Sequence, residues 1–365
     1  MLLAIQYPSW LHPEIIPGLP FLRWYGLMYL VAFGIAYFLF SYQVKHGEFE
    51  RYSGSQKAMT QDDIANLFIW GILGLILGAR IFGTLVYNPE TYLKAPWLIF
   101  WPFARDGAGK LNFTGFQGMS YHGGFIGGFL GVVLWAKRYK FKFTAVADLM
   151  AVSIPLGYTF GRLGNFANGE LYGRITTSKI GMIFPQTPIS DRFYLAESWV
   201  RDFAEKAGLA VQEGAAMINL PRHPSQLYEA FFEGIVLWLI LWLIRKKKPF
   251  DGFLACVYTL GYGFFRFFIE YFRQPDANKG YPISLGSGAA NIYVYESWTN
   301  ISTGQILCAL MILGSIAAMF ILYLQEKKLK EKKENRWIKK ALTFVLKSWA
   351  FTVLQFLLLE FPLQT

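Results

Sequence analysis

The stretch IANLFIWGILGLILGARIFGTLVY, residues 64–87, runs for 24 residues with a single charge, Arg80. A transmembrane helix needs about 20 mostly apolar residues, so this run is long enough to cross a bilayer. Six further stretches read the same way, at 20–41, 119–137, 146–166, 225–244, 252–271 and 304–324. Of the 365 residues, 54% are hydrophobic and only 16% are charged. A soluble chain uses about 25% charged residues to cover its surface. The sequence therefore predicts an all-α polytopic membrane protein, a seven-transmembrane-helix bundle. No basic segment precedes the first stretch and no small-residue cleavage site follows it, so it reads as a span and not as a removable signal.

Lysine and arginine concentrate in alternate loops, and this bias sets orientation. Lys45, Arg51 and Lys57 fall in one loop, and Lys137, Arg138, Lys140 and Lys142 in another. Arg245, Lys246, Lys247 and Lys248 follow, then eight basic residues between Lys327 and Lys340. Together these are 19 of the 35 basic residues, which places the N-terminus outside and the C-terminus in the cytoplasm. The formal charge of +11 thus belongs to membrane topology, and no nucleic-acid partner is expected. Residues 172–223 make an outside loop long enough for a small folded extracytoplasmic cap, with a helix near Ala196–Ala207 ended by Gly208. Residues 1–335 read as the transmembrane domain and 336–365 as an amphipathic C-terminal extension. Within that extension 341–361 is apolar but follows a basic run, which favours an interfacial helix over an eighth span. Cys256 and Cys308 have neither partners for a disulfide framework nor metal-ligand spacing around them.

A charge at mid-bilayer costs on the order of 2.5–3.5 kcal/mol even on the lenient insertion scale, so buried polar residues mark function. The fourth stretch ends in a run of glycines and amides, Gly157 to Arg174, in which Gly157 and Gly161, four apart, should let a neighbouring helix approach closely and Arg162 and Asn165 share a helical face. An arginine fork beside amide donors suits phosphate oxygens. The structural alternative is an interfacial arginine snorkelling to headgroups, with asparagines capping the helix. In the sixth stretch Tyr262, Arg266, Glu270 and Arg273 form one helical stripe, or else Arg266 and Glu270 are simply an ion pair. His122 opens the third stretch ahead of two interleaved small-residue patterns, Gly123/Gly127/Gly131 and Gly124/Gly128. An imidazole there is either a hydrogen-bonded headgroup contact or a base that takes a proton near neutral pH. The fifth stretch begins Arg222-His223-Pro224-Ser225-Gln226, and Gln226, Glu229 and Glu233 give it a polar face with which Arg80 could pair. Apart from Arg80, these clusters gather in the outer half of the membrane, as a cationic cavity suited to an anionic lipid headgroup.

These motifs resemble one family. Gly161-Arg162-Leu163-Gly164-Asn165, continuing through Asn168, Gly169, Glu170 and Gly173 to Arg174, is similar to the signature of bacterial prolipoprotein diacylglyceryl transferases. His122-Gly123-Gly124, Arg222-His223-Pro224-Ser225-Gln226-Leu227-Tyr228-Glu229, the block from Tyr262 to Asp276 and Arg23-Trp24-Tyr25-Gly26 resemble its other blocks in order. The resemblance covers roughly 20–325. It departs in the longer residues 277–300 and in the extension after about 330.

It implies transfer of the diacylglyceryl group of phosphatidylglycerol to the lipobox cysteine of a prolipoprotein signal peptide. The setting would be the bacterial cytoplasmic (inner) membrane, with membrane lipid as partner and substrate. On this reading Arg162 and Arg266 stabilise the departing phosphate, and His122 takes the thiol proton. Tyr25, Asn165, Asn168, Glu170, Gly173 and Glu229 contact the lipid, while Tyr262, Glu270 and Arg273 orient Arg266. No metal or organic cofactor is expected. A transporter of an anionic solute is the rival from another class, but the sequence lacks the paired halves such proteins show. A non-catalytic lipid-binding scaffold is a third reading.

Overall fold

The computed structural model describes residues 4–16, 18–19, 22–53, 57–87, 89–101, 103–105, 109–113, 119–212, 214–275, 280–284 and 291–360. Each apolar stretch forms a helix: α1 (Trp24–Lys45), α2 (Gln61–Tyr87), α3 (Tyr121–Tyr139) and α4 (Phe143–Ala167). After the cap helix α5 (Ser198–Lys206) come α6 (Ser225–Lys247), α7 (Phe253–Ile269) and α8 (Thr303–Glu360). Five of them, α1, α2, α4, α6 and α8, are long and apolar enough to cross a membrane. The chain is a mostly helical, multi-pass membrane protein. Of the segments read above, Asp276, 277–279 and 285–290 lie outside the described residues.

Lipid offers no hydrophobic drive for helices to associate, so close backbone packing has to do it. Helices α2 and α3 meet along a glycine seam. A Cβ on Gly78 would stand 2.7 Å from the Cα of Gly127, and one on Gly127 would stand 2.8 Å from the Cα of Gly78. At Gly131 a Cβ would strike the carbonyl of Trp70. Only the Gly123/Gly127/Gly131 set makes this contact; Gly124 and Gly128 meet α2 at ordinary distances of 3.4 Å or more. Helix α4 packs on α1 through Gly157, where a Cβ would come within 2.7 Å of the Ala32 carbonyl, and through Gly164 against Met28. Gly161 faces open space, so the contact expected of Gly157 with Gly161 falls on Gly157 with Gly164 instead.

At the other end of α4 a buried ion-pair network joins three segments. The Asp148 carboxylate is inaccessible to solvent. It accepts from Lys248 Nζ at 2.8 Å and from the backbone N–H groups of Gly252 (2.9 Å) and Ala255 (3.0 Å). Those two amides open α7, whose unsatisfied N-terminal donors need an acceptor. Lys248 also meets Asp251 at 2.9 Å, and Asp251 meets Lys142 at 2.7 Å.

Residues 172–223 contain α5 and short paired strands, Phe193–Tyr194 with Met217–Ile218, around a cluster of Ile175, Phe193, Leu195, Val200, Ala204 and Leu220. Gly208 follows α5 at φ +71°, where a glycine costs least. A second short pairing ties Ile5–Gln6 to Met182–Ile183. One compact unit spans Met1–Ser315 and a second spans Ile316–Thr365. Helix α8 runs unbroken through the basic stretch to Glu360 rather than restarting as a separate tail helix.

Removing one partner of a buried charge pair costs about 3–5 kcal/mol. Asp148→Ala is therefore expected to lower the unfolding midpoint of the detergent-solubilised protein strongly. Asp148→Asn keeps an acceptor for the two amides and should lose less. Equal midpoints for both variants and the parent would show that the network contributes little.

Candidate active site

Three elements converge at the C-terminal end of α4. Arg162 comes from α4, Glu229 and Glu233 from α6, and Arg266 from α7, with Glu270 and Arg273 just past the end of α7. Glu229 is fully buried and sits between three guanidinium groups. Its Oε2 lies 2.9 Å from Arg162 Nε and 2.8 Å from Arg266 Nη1, and its Oε1 accepts from Arg273 Nη1 at 2.8 Å. Glu270 Oε2 adds longer pairs to Arg266 (3.4 Å) and Arg273 (3.5 Å), and Glu233 Oε1 stands 3.8 Å from Arg266. Three arginines face three glutamates, so the formal charges cancel.

Just past Glu229 the helix widens into a π turn, Ala230–Val236, which carries Glu233, a distortion common at functional sites. Helix α4 presses on it: Thr159 Oγ1 donates to the Ala230 carbonyl at 3.2 Å, and Gly234 leaves no room for a Cβ against Thr159.

An amide-lined rim adjoins the lattice. Arg162 Nη1 donates to Asn165 Oδ1 at 3.3 Å. The amides of Asn165 (3.0 Å) and Asn168 (3.2 Å) both donate to Glu170 Oε1, and Gln226 Nε2 donates to the Glu170 carbonyl at 2.6 Å. Asn168 Oδ1 and Gln226 Oε1 are buried without a hydrogen-bond partner. Tyr25 on α1 packs near Gly164, its hydroxyl 3.0 Å from that of Tyr29. These two amide oxygens can only accept, so they suit hydroxyl or N–H donors, whereas negatively charged oxygens suit the neighbouring guanidinium N–H groups.

Four residues stand in surroundings that the sequence pattern did not foresee. Helix α7 ends at Ile269, so the expected stripe breaks there. Arg273 is brought in by a backbone joint in which it bridges Gly173, and Arg174 Nε donates to its carbonyl at 2.6 Å. Gly173 sits in that joint, its N–H donating to the His223 carbonyl at 2.8 Å, and a side chain there would strike the Phe272 carbonyl. Its requirement is steric. His122 is exposed at the start of α3 beside Tyr121, and none of the hydrogen bonds or ion pairs that build the lattice includes it. Arg80 does not pair with the α6 carboxylates. It donates to the carbonyls of Ile99 and Leu98 (3.1 Å for the latter) and lies over Tyr92, pinning the segment between α2 and α3.

Tyr262 stacks edge-on with Tyr158, ring centroids 6.0 Å apart. Tyr158 itself was missed in the sequence: it lies one turn before Arg162 and donates to Glu233 Oε2 at 2.5 Å. Its only signal was the spacing of four from Arg162.

His223, outside the spans, is held to about 4, below its ordinary 6.5, by burial and then by the nearby Arg174 charge. The folded protein thus keeps a neutral imidazole that the unfolded chain would protonate. This contribution to stability is full above 6.5 and is lost as pH falls toward 4. His223→Gln should therefore flatten the acid side of the thermal midpoint measured against pH. An unchanged slope would assign that loss to other groups.

A multi-pass helical protein with a neutralised arginine lattice under an amide rim is a membrane protein built to handle an anionic head group. The sequence profile of the prolipoprotein diacylglyceryl transferase family matches residues 15–321, and the chain belongs to that family. It is 92% identical to the phosphatidylglycerol–prolipoprotein diacylglyceryl transferase of Treponema denticola over 335 residues, 92% of this chain and 99% of that one. The Treponema pallidum enzyme of the same name is 57% identical over 88% of this chain and 96% of its own. That of Chlorobaculum tepidum is 41% identical over 86% of this chain and 90% of its own.

Proposed function

We propose that the protein transfers the diacylglyceryl group of phosphatidylglycerol to the lipobox cysteine thiol of prolipoproteins. The thiolate sulfur attacks the glycerol carbon, the carbon–oxygen bond to phosphate breaks, and the oxygen leaves with the bonding pair. The products are a thioether and glycerol phosphate, and the thiol proton passes to a base. The observation that supports this most is Glu229 holding three guanidinium groups next to an amide rim.

Charge builds on phosphate oxygens as the bond breaks, and preorganised donors act most strongly there. Arg162 keeps its Nη edge toward the rim, where Nη1 donates to Asn165, and meets the phosphate. Arg266 adds the second positive charge, held by Glu229 and Glu270, with Arg273 and Tyr262 fixing that arrangement. Asn165, Asn168, Glu170 and Tyr25 receive the headgroup, and Gly173 keeps the joint tight enough to hold Arg273. His122 meets the thiol at the exposed start of α3.

The reaction takes place in the bacterial cytoplasmic (inner) membrane, with seven crossings, the N-terminus outside and the C-terminus in the cytoplasm. The loop bias of lysine and arginine supports this topology. Helices α3, at 19 residues, and α7, at 17, complete the seven. Residues 1–335 form the catalytic domain, capped outside by 172–223, and the stretch from 336 onward is its basic and apolar C-terminal extension.

Losing one donor to a developing oxyanion costs about 100- to 1000-fold in rate. Arg162→Ala and Arg266→Ala should each lose at least that in glycerol phosphate release from phosphatidylglycerol with a lipobox peptide as acceptor. Full activity in both would remove the clamp assignment. His122→Asn should slow turnover and reshape the pH–rate profile, whereas an unaltered profile would give the proton to another base.

A further inference from the structure

Arg162 has a single hydrogen on Nε, and it is aligned on the Tyr158 hydroxyl oxygen at 2.7 Å. Glu229 neutralises the same nitrogen from 2.9 Å. The Tyr158 ring also lies 4.9 Å from the guanidinium carbon. A phenol has one proton to give, and this one goes to Glu233 Oε2 at 2.5 Å, with Glu229 Oε2 the more distant acceptor at 3.4 Å. The direction of the chain is therefore fixed: Arg162 donates to Tyr158, and Tyr158 donates to Glu233. Glu233 is fully buried and has no other close hydrogen bond, since its Oε1 lacks a partner and Arg266 is 3.8 Å away.

An ion pair alone leaves a guanidinium free to pivot about the charge, because Coulomb attraction has little angular preference. A hydrogen bond along Nε–H fixes the plane and so aims the two Nη groups. We propose that Tyr158 is the positioning residue that sets the plane of Arg162, with Glu233 as its anchor. Tyr158 lies on the helix of Arg162, while Glu233 lies across the interface within the π turn. The relay therefore ties the aim of the phosphate clamp to the packing of α4 on α6, through Thr159 and Gly234 one turn away. Tyr158 does not touch the substrate. Its effect passes through Arg162, so the inference rests on the clamp reading above.

The test uses the full chain purified in detergent micelles containing phosphatidylglycerol, with a lipobox peptide as acceptor and glycerol phosphate release as readout. A misplacement of about 1 Å costs on the order of 100-fold in rate. Tyr158→Phe and Glu233→Ala should each lower kcat by about 10- to 100-fold, with little change in KM for the lipid. Glu233→Gln, which keeps an acceptor for the phenol, should recover most of what Glu233→Ala loses. The double variant Tyr158→Phe/Glu233→Ala should be no worse than the poorer single one, as for members of one unit. Unfolding midpoints are recorded for every variant, because a purely structural role would lower the midpoint and leave the kcat of the folded fraction unchanged.

Wild-type kcat in Tyr158→Phe, multiplied losses in the double variant, or no advantage of Gln over Ala at Glu233 would each overturn the relay. Arg162→Ala separates the two levels. If that variant is inactive while Tyr158→Phe is normal, only the relay fails. If Arg162→Ala is fully active, the clamp reading fails with it.

Discussion

The carboxylate of Glu229 is the constraint on which the site depends. Three guanidinium groups within a few ångströms repel one another, and in a low-dielectric interior that repulsion would drive their helices apart. One carboxylate, inaccessible to solvent, meets Arg162 and Arg266 with one oxygen and Arg273 with the other. Each arginine comes from a different piece of backbone: the end of α4, the body of α7 and the joint beyond α7. The same atoms that neutralise the charge therefore decide where those pieces of backbone must lie. Glu270 and Glu233 complete the formal balance.

That balance also answers a difficulty of insertion. Each arginine is costly inside a bilayer on its own, and so is each glutamate. Assembled, the six side chains form a neutral cluster from which Arg162 Nη1 still reaches Asn165 on the amide rim. Local neutrality with directional donors lets a site attract phosphate without leaving uncompensated charge in lipid. Glycine packing does the complementary work, bringing α2 onto α3 and α1 onto α4 at distances that no side chain would allow.

The sequence made the local part of this legible. The apolar helices followed from run length, and the pairing of Arg162 with Asn165 followed from a spacing of three on a helix. What it concealed were relations between distant segments. Arg273 continues the arithmetic of the α7 stripe, yet it reaches Glu229 only because Gly173 and His223 close a joint more than 40 residues away. Arg80 read as a possible partner for the α6 carboxylates because it was another charge within a span, whereas backbone carbonyls of the following loop took it. Tyr158 was one of 21 tyrosines, and an aromatic on a membrane helix has too many ordinary uses for its role to stand out. The Gly157 and Gly161 pair shows the converse: a correct local pattern whose contact fell on Gly164 instead.

The glycine seam also governs how far an exposed residue can reach. His122 precedes Gly123, whose backbone is pressed against that of Gly78. Its main chain is thereby held as firmly as one in a protein core, although its ring is in the open. The imidazole can sweep only the arc that two side-chain torsions permit. On the proposed reading, a thiol arriving at that end of α3 would meet a base on a short tether, and the incoming chain would have to supply the remaining adjustment.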